Sequence, residues 1–227
     1  GWGVPIAVAP GQVMDVGLAI AGVRSYVALS GGITVGTVLG SRASDSLSGL
    51  GPPRLEPGCR LPLGPAHGPA PAVDFAPYPF PPEQLSLVLH PGPRGDWLSE
   101  DGLRTLAHGT WRVASDSNRI GLRLDGPSVA RRASTEELAS EGMVTGAVQV
   151  TASGQLIVFL ADHPTTGGYP VVGVVDTQGV TACSQARPGT PVSFRLVATA
   201  LDDTPGSSAR WALPPEDPEA ADDSDEP

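Results

Sequence analysis

Glycine and proline constrain this chain more than any other feature, because 29 Gly and 25 Pro occur among its 227 residues. They show no collagen-like period, and so many residues that interrupt regular backbone disfavour a helical bundle. Frequent turn residues between short apolar runs are typical of strands joined by tight turns. We therefore predict a mainly β protein, a barrel or a sandwich, with few short helices.

Charge is distributed unevenly along the chain. All 14 basic residues are Arg, and 24 Asp and Glu bring the formal net charge to −10. Seven of these carboxylates lie in residues 212–227, a stretch without a basic residue. We predict that residues 201–227 form an acidic, disordered tail because they offer almost nothing to bury. The acidic balance excludes a typical nucleic-acid-binding surface, which needs clustered Lys and Arg.

Cysteine usage and hydropathy indicate the cellular compartment of the protein. Cys59 and Cys183 are far apart, which predicts neither a disulfide framework nor a zinc site. No run of about 18 apolar residues and no signal-peptide pattern is present, so we expect a cytoplasmic protein. The sequence begins with Gly1 rather than Met, and we expect the natural protein to start earlier.

The first part of the chain reads as strands and turns. Strands are predicted at residues 4–8, 12–21 and 24–29, and we assign residues 1–60 to a first, partial β unit. Residues 61–83 are rich in proline, which cannot donate to a strand ladder, and are predicted to connect this unit to a second one. Either an ordered irregular loop or a flexible linker fits that composition.

Residues 84–200 form the second predicted β unit. Strands are expected at 85–90, 111–114, 120–124, 171–175 and 192–198, and the apolar runs 147–150 and 155–160 flank a Gly-containing turn that predicts a hairpin. Apolar residues near one helical face predict a helix over 97–107. A short helical turn is expected at 134–139.

Two arginines bracket one of these strands. Arg119 and Arg123 would share one face of a strand with Gly121, which would leave space between them, and Asn118 lies nearby. Two guanidinium groups could clamp a carboxylate or a phosphate in bidentate fashion. A surface pair of arginines beside a glycine bulge is the alternative.

A second polar segment follows the hairpin. Asp162 could act as a general base or orient a partner, and two hydroxyls and two glycine amides come after it. The residues that could contact a ligand here are Thr165, Thr166, Gly167, Gly168 and Tyr169. An Asx turn leading into a Gly-Gly turn would explain the same residues without a ligand.

Two further polar groups are candidates. Glu141 and Gln149 flank the entry to the hairpin, and Gln149 is either paired internally or directed into a pocket. Arg42 lies near Ser41 and Asp45 after an apolar run, so it is either a binding residue or the partner of Asp45. The four histidines have no metal-ligand spacing, and we predict no metal site.

Taken together, these segments resemble a known family. Arg24–Ile33, Leu39–Arg42, Ser117–Leu124, Gly146–Val150, Asp162, Thr165–Pro170 and Gln185 occur in the order typical of the KipA family, also known from allophanate hydrolase (its subunit 2) and from 5-oxoprolinase (its C subunit). The family is similar to half of the carboxyltransferase region of urea carboxylase. The resemblance runs from about residue 4 to about residue 196.

The resemblance implies cyclophilin-like β-barrel halves and several partners. For the reactions known in this family, we predict that Arg119, Arg123 and Asp162 act in catalysis and that Arg42, Asn118, Glu141, Gln149 and residues 165–169 bind substrate. It implies a KipI-like protein and a separate lactam-handling protein as the other components of the enzyme. The family's N-terminal Asp-x-Gly-Arg-x-Gly segment does not occur in this sequence, so the first barrel half is expected to be incomplete.

Three functions are open to such a chain. The first is a subunit of an ATP-dependent 5-oxoprolinase, with ATP and Mg as cofactors, which opens the lactam ring of 5-oxoproline to give glutamate. The second is the carboxyltransferase component of a biotin-dependent, urea carboxylase-like system, whose biotin carrier must be another protein because this chain has no Lys. The third is a regulatory partner of a KipI-like protein. The fold alone does not separate them.

Overall fold

The computed structural model describes residues 3–46, 48–66, 68, 79–132 and 138–197. The chain divides into two compact units. The first comprises Gly1–Ala19 and Arg24–Pro79, and the second comprises Ile20–Val23 and Phe80–Pro227. The predicted acidic tail at 201–227, most of the predicted helical turn at 134–139 and residues 69–78 of the predicted connector lie outside the described residues.

The described part of the first unit contains turns and extended chain rather than sheets. Its β contacts are isolated bridges that join Ile33 to Leu63 and Val38 to Ser41. The strands predicted at 4–8, 12–21 and 24–29 are therefore wrong for this structure. The apolar alternation is present, but a strand needs a hydrogen-bonded neighbour, and these segments have none in the described residues. Val13 and Leu18 are accordingly exposed.

The second unit is a closed barrel, which confirms the mainly β fold with few short helices. Its strands are β1 (Leu85–Pro91), β2 (Trp111–Val113), β3 (Gly121–Asp125), β5 (Ala147–Val150), β6 (Leu156–Phe159), β8 (Val171–Val175) and β9 (Pro191–Leu196), with β4 (Glu141–Gly142) and β7 (Thr166–Gly167) in a separate pair. The barrel order is β1-β8-β5-β6-β3-β2-β9. β1 pairs with β9 in parallel, and the other pairings are antiparallel.

Alternation along the strands fills the barrel interior. In β1, Leu85, Leu87 and Leu89 are buried while the residues between them are more exposed. Trp111 and Phe194 meet edge to face with ring centroids 5.5 Å apart, and the Trp111 indole N–H donates to the Pro127 carbonyl at 3.0 Å. Closure leaves these seven strands without an unpaired sheet edge.

Two helices accompany the barrel in the described residues. A 3-10 turn at Gly95–Trp97 precedes α1 (Glu100–His108), which confirms the predicted helix with a later start. The Ser99 hydroxyl caps α1 by accepting from the Gly102 N–H at 3.0 Å, and Leu106 is fully buried. The second helix, α2 (Thr177–Cys183), was not predicted, because Thr, Gly and Val are weak helix formers; Asp176 caps its first turn by accepting from the Gly179 N–H.

Strand predictions for the second unit are confirmed within one or two residues. The hairpin is formed by β5 and β6, which pair Val148 with Val158 and Val150 with Leu156. β4 and β7 were missed because a two-residue strand leaves no periodic signal in a sequence. No helix in the described residues is both long and apolar enough to cross a membrane.

Candidate functional site

The β4–β7 pair brings together two segments that the sequence offered separately. Glu141 lies opposite Gly167, and Gly142 lies opposite Thr166, in an antiparallel register. The pairing continues one step further, since the Met143 N–H donates to the Thr165 carbonyl at 2.9 Å. Predicted binding residues that are distant in sequence are thus neighbours on one short ribbon, which we name the β4–β7 ribbon.

Gln149 lies beneath this ribbon. Its neighbours in β5, Val148 and Val150, belong to the barrel core, so Gln149 faces outward, yet it is only 2% exposed. Its Nε2 donates to the Tyr169 carbonyl at 2.8 Å and to the Met143 sulfur at 3.3 Å. Because a carbonyl only accepts, this bond fixes which end of the amide is Nε2. Within the described residues, no group donates to the Gln149 Oε1.

Gly167 is needed for this arrangement. A Cβ at residue 167 would lie 2.9 Å from the Gln149 Nε2 and 3.3 Å from the Met143 sulfur. Any side chain there would press on the buried amide. The β5–β8 register also shifts between Val148 and Gln149, and such a bulge reorients the side chain beside it. The interpretation of Gln149 as a buried and paired residue is confirmed for its Nε2.

The buried amide borders an apolar cluster on the outer face of the barrel. Met143, Ala147, Phe159 and Val171 are buried together, with Ile157 and Val174 packed against them. This cluster is separate from the barrel core, and it keeps water away from one side of the amide. Polar groups at its edge therefore act in a partly apolar environment, where hydrogen bonds are stronger.

Arg94 was missed by sequence reasoning and anchors the ribbon. Its Nε donates to the Glu141 Oε2 at 3.1 Å, and its Nη2 donates to the Glu141 Oε1, which makes a bidentate ion pair. The Arg94 hydrogen bonds lower the pKa of the Glu141 carboxyl, and the Glu141 hydrogen bonds raise the pKa of the Arg94 guanidinium. No spacing pattern could have linked residues 94 and 141, because only the fold brings the end of β1 to β4.

Asp162 pairs with Arg119 at the end of β6. The Arg119 Nη2 lies 3.6 Å from the Asp162 Oδ2, and the Asp162 N–H donates to the Arg119 carbonyl at 3.1 Å. Asn118 closes the turn before β3, since its Oδ1 accepts from the N–H groups of Ile120 at 2.8 Å and Gly121 at 3.4 Å. That oxygen is therefore engaged in the backbone turn.

Arg123 pairs with a different carboxylate. Its Nε lies 3.3 Å from the Asp116 Oδ2, so the two predicted guanidinium groups are held by separate partners. β3 begins at Gly121, and Arg119 precedes it, so the expected shared strand face is wrong. The expected space at Gly121 is wrong as well, because a Cβ there would lie 2.9 Å from an Ile157 methyl.

The remaining predicted residues divide between the site and the other unit. Thr165, Gly168 and Tyr169 flank the β4–β7 ribbon, and the Tyr169 side chain is exposed. Arg42 belongs to the first unit, where its Nε donates to the Val35 carbonyl at 3.0 Å. Asp45 accepts from the Ser48 hydroxyl at 2.6 Å, and the Arg42–Asp45 ion pair is absent from the described residues.

A cavity of about 530 Å³ lies elsewhere on the barrel. It is bordered by Arg112, Ser115, Asp125 and Gly189, among others, and includes none of the predicted site residues. Its lining mixes strand ends with the Pro188-Gly189 turn. Across the described ranges, no group of three or more His, Cys, Asp or Glu could hold a metal ion.

Comparison with known proteins gives consistent relatives. The family model described as carboxyltransferase domain, subdomain A and B, matches residues 1–196. The C subunit of 5-oxoprolinase from Escherichia coli (strain K12) is 32% identical over 201 residues, which cover 86% of this chain and 62% of that protein. This chain therefore spans less than two thirds of that relative's length.

Solved structures agree with the fold. The crystal structure of TTHA0988 is 36% identical with a TM-score of 0.61, and the match covers 72% of this chain and 32% of that one. The Kluyveromyces lactis urea carboxylase is 26% identical with a TM-score of 0.63, and the match covers 77% of this chain and 18% of that one. Each relative is considerably longer than the matched region.

Proposed function

Because this chain belongs to the carboxyltransferase domain family, subdomain A and B, we propose that it is a subunit of an ATP-dependent 5-oxoprolinase. In this role it takes part in opening the lactam ring of 5-oxoproline to give glutamate. The Escherichia coli relative is named as a subunit of 5-oxoprolinase, which supports the choice of reaction. The chain acts within a complex and is expected to be inactive alone.

The observation that carries the proposal is the buried amide of Gln149. Its Nε2 is occupied by the Tyr169 carbonyl, whereas its Oε1 has no hydrogen-bond donor in the described residues. A lactam presents an N–H and a carbonyl side by side. The free Oε1 is a suitable acceptor for that N–H, and a site that hydrogen-bonds a substrate group rejects analogues that lack it.

Polar groups around the β4–β7 ribbon complete the proposed site. The hydroxyls of Thr165 and Thr166 and the Gly168 amide are proposed to contact the substrate carboxylate, with Tyr169 closing one side. Arg119, held by Asp162, is proposed to stabilise negative charge that develops at the lactam oxygen. Arg123, which lies beside Asp116, is proposed to help stabilise the same negative charge.

Glu141 is given a structural part in this proposal. Both of its carboxylate oxygens are engaged by Arg94, so neither is free to act as a base. The pair instead fastens the ribbon to the end of β1. The Arg94–Glu141 pair contributes to substrate binding only indirectly, because it holds Thr166 and Gly167 in position.

ATP is assigned to the complex rather than to a site on this chain. When bound, ATP supplies the phosphoryl group that activates the unreactive lactam carbonyl. In this chain Gly167 is already paired with Glu141, and Arg119 is already paired with Asp162, so the described residues do not form a phosphate cradle. Mg would arrive with the nucleotide, since Mg is commonly held through substrate phosphates.

The proposed partners follow from the family. A KipI-like protein and a lactam-handling protein would complete the enzyme, in the cytoplasm. This chain covers only part of its relatives' length. We therefore propose which proteins form the complex and assign no residues to the contacts between them.

The test is glutamate formation from 5-oxoproline and ATP by the complex of the full-length chain with both partners. Omission of the chain should abolish turnover. Arg119→Ala should do the same while the protein stays folded, and Arg104→Ala is the matched control because Arg104 also forms an exposed ion pair, with Asp101, away from the site. Full activity of Arg119→Ala would remove Arg119 from the mechanism.

The second candidate is a carboxyltransferase component, and the likeness to Kluyveromyces lactis urea carboxylase favours it. Urea also presents N–H groups to an acceptor such as Gln149. A biotin carrier would lie outside residues 1–227, which contain no Lys. Transfer of labelled carboxyl from carboxybiotin to urea, with no glutamate formed from 5-oxoproline, would select this function. A stable complex with neither activity would select the regulatory one.

A further inference from the structure

His163 stands beside the proposed site and was assigned no role by the sequence. It lies on the connection between β6 and β7, directly after Asp162 and two residues before Thr165. Both ends of this connection are anchored, by the Asp162 N–H on the Arg119 carbonyl and by the Thr165 carbonyl on the Met143 N–H. The His163 N–H itself donates to the Leu160 carbonyl at 3.2 Å.

The imidazole ring has a defined orientation. Its Nδ1 is 2.8 Å from the Pro164 carbonyl, which can only accept a hydrogen bond. The neutral ring therefore carries its proton on Nδ1 and leaves a lone pair on Nε2. No described residue forms a hydrogen bond with Nε2, and no carboxylate of the described ranges lies within 4.0 Å of a ring nitrogen.

The ring also lies at the edge of the apolar cluster. Its centroid is 6.4 Å from that of Phe159, and Phe159 is buried together with Met143. Met143 in turn contacts the Gln149 amide. The half-buried imidazole and the buried amide therefore border the same cluster on the outer face of the barrel.

We propose that His163 is the proton-transferring residue of this site, with Nε2 as the atom that carries the proton. The inference rests on the proposed lactam hydrolysis. The Glu141 carboxylate is engaged by Arg94 and the Asp162 carboxylate faces Arg119, whereas the His163 Nε2 has no hydrogen-bond partner among the described residues. Histidine is also the side chain that most often takes and returns a proton in catalysis.

The step balances without a further reactant. Water attacks the activated lactam carbon, and Nε2 takes a water proton as the C–O bond forms. The ring C–N bond then breaks with its electron pair on nitrogen, and that nitrogen receives the proton from Nε2. The new hydroxyl passes the second water proton to the departing amine as the C=O bond of the acyl phosphate forms. His163 ends neutral, the amine is released, and a second water converts the acyl phosphate to carboxylate and inorganic phosphate.

The experiment compares variants in the complete complex with 5-oxoproline and ATP. His163→Gln keeps a polar group of similar reach but cannot shuttle a proton, and we expect kcat to fall about 100-fold or more. His163→Ala should fall at least as far, and added imidazole should restore part of the lost rate because it supplies the missing base. His108→Gln, on the exposed end of α1, is the matched control and should keep full activity.

The possible outcomes distinguish a failure of the proposed function from a failure of the inference about His163. A wild-type complex without turnover removes the proposed function, and the role of His163 falls with it. An active wild type with a fully active His163→Gln variant overturns the inference alone. If His163→Ala does not assemble with its partners, the Gln variant decides; if both assemble and imidazole rescues neither, His163 has a structural role and the inference is wrong.

Discussion

Replacing Gln149 by Met should separate the function of this residue from its contribution to stability. The two side chains have the same length and similar volume, so packing against Met143 and Gly167 is largely kept. The substitution removes a hydrogen bond between Nε2 and the Tyr169 carbonyl, which costs about 1 kcal/mol. It also removes a buried Oε1 that has no donor in the described residues, and this relieves about 1–3 kcal/mol of desolvation.

The two effects oppose each other. The free energy of unfolding of Gln149→Met should therefore not drop by more than about 1 kcal/mol, and it is expected to stay level or rise slightly. If the buried amide were fully hydrogen-bonded, the same substitution would lower the free energy of unfolding by about 1–3 kcal/mol. Urea unfolding of the full-length chain measures this difference directly.

Activity should respond more strongly than stability. If Oε1 accepts the lactam N–H, its loss removes about 1.4–2.8 kcal/mol of transition-state binding, which is about 10- to 100-fold in kcat/KM. Steady-state glutamate formation by the complex provides the assay. Gln178→Met, an exposed change on α2, should alter neither quantity. Unchanged kcat/KM in Gln149→Met would refute the substrate contact, and a stability loss clearly above about 1 kcal/mol would refute the unpaired oxygen.

Three further predictions concern stability, each measured by chemical unfolding at equilibrium. Arg94→Met should lower the free energy of unfolding by about 1 kcal/mol at pH 7, a value discounted for the partial exposure of both partners. Because the Arg94 hydrogen bonds lower the folded pKa of Glu141, this difference is present above the ordinary glutamate pKa and should shrink as the pH falls through the lower folded value. A difference that does not shrink on acidification would contradict the pairing. Gly146→Ala should cost about 1–3 kcal/mol, because φ is +86° and a Cβ would lie 2.5 Å from the Val175 carbonyl, whereas Gly142→Ala, with open space, should cost less than half as much. Trp111→Ala should cost about 3–5 kcal/mol, since it empties a fully buried site in the barrel, and a loss below about 1 kcal/mol would show that the core is not packed as described.

Much of the second unit could be predicted from local pattern. Apolar alternation in 85–90 and the Gly-containing turn between 150 and 155 specify a strand and a hairpin from residues near one another in sequence. In the first unit the same alternation predicted strands that do not form, because strand formation depends on a neighbour that the local pattern does not describe.

Residues of the candidate site could be proposed from the sequence, but their arrangement could not. Glu141, Gln149 and Gly167 were singled out by residue type and resemblance, and the structure places them together. The predicted clamp of Arg119 and Arg123 is wrong, because each guanidinium pairs with a different carboxylate that the fold brings close to it. A spacing rule assumes a strand that continues through both positions, and β3 begins between them.

The sequence by itself determined the class of fold, the acidic character and the family, since glycine and proline placement, charge and motif order are properties of the chain alone. Only the tertiary structure decided that the strands close into a barrel, that Arg94 anchors Glu141, and that the Gln149 carboxamide lies buried with no donor to its oxygen among the described residues. The physical reason is that closure, ion pairing and burial depend on residues far apart in sequence. Their energies arise only when the fold brings those residues within contact distance.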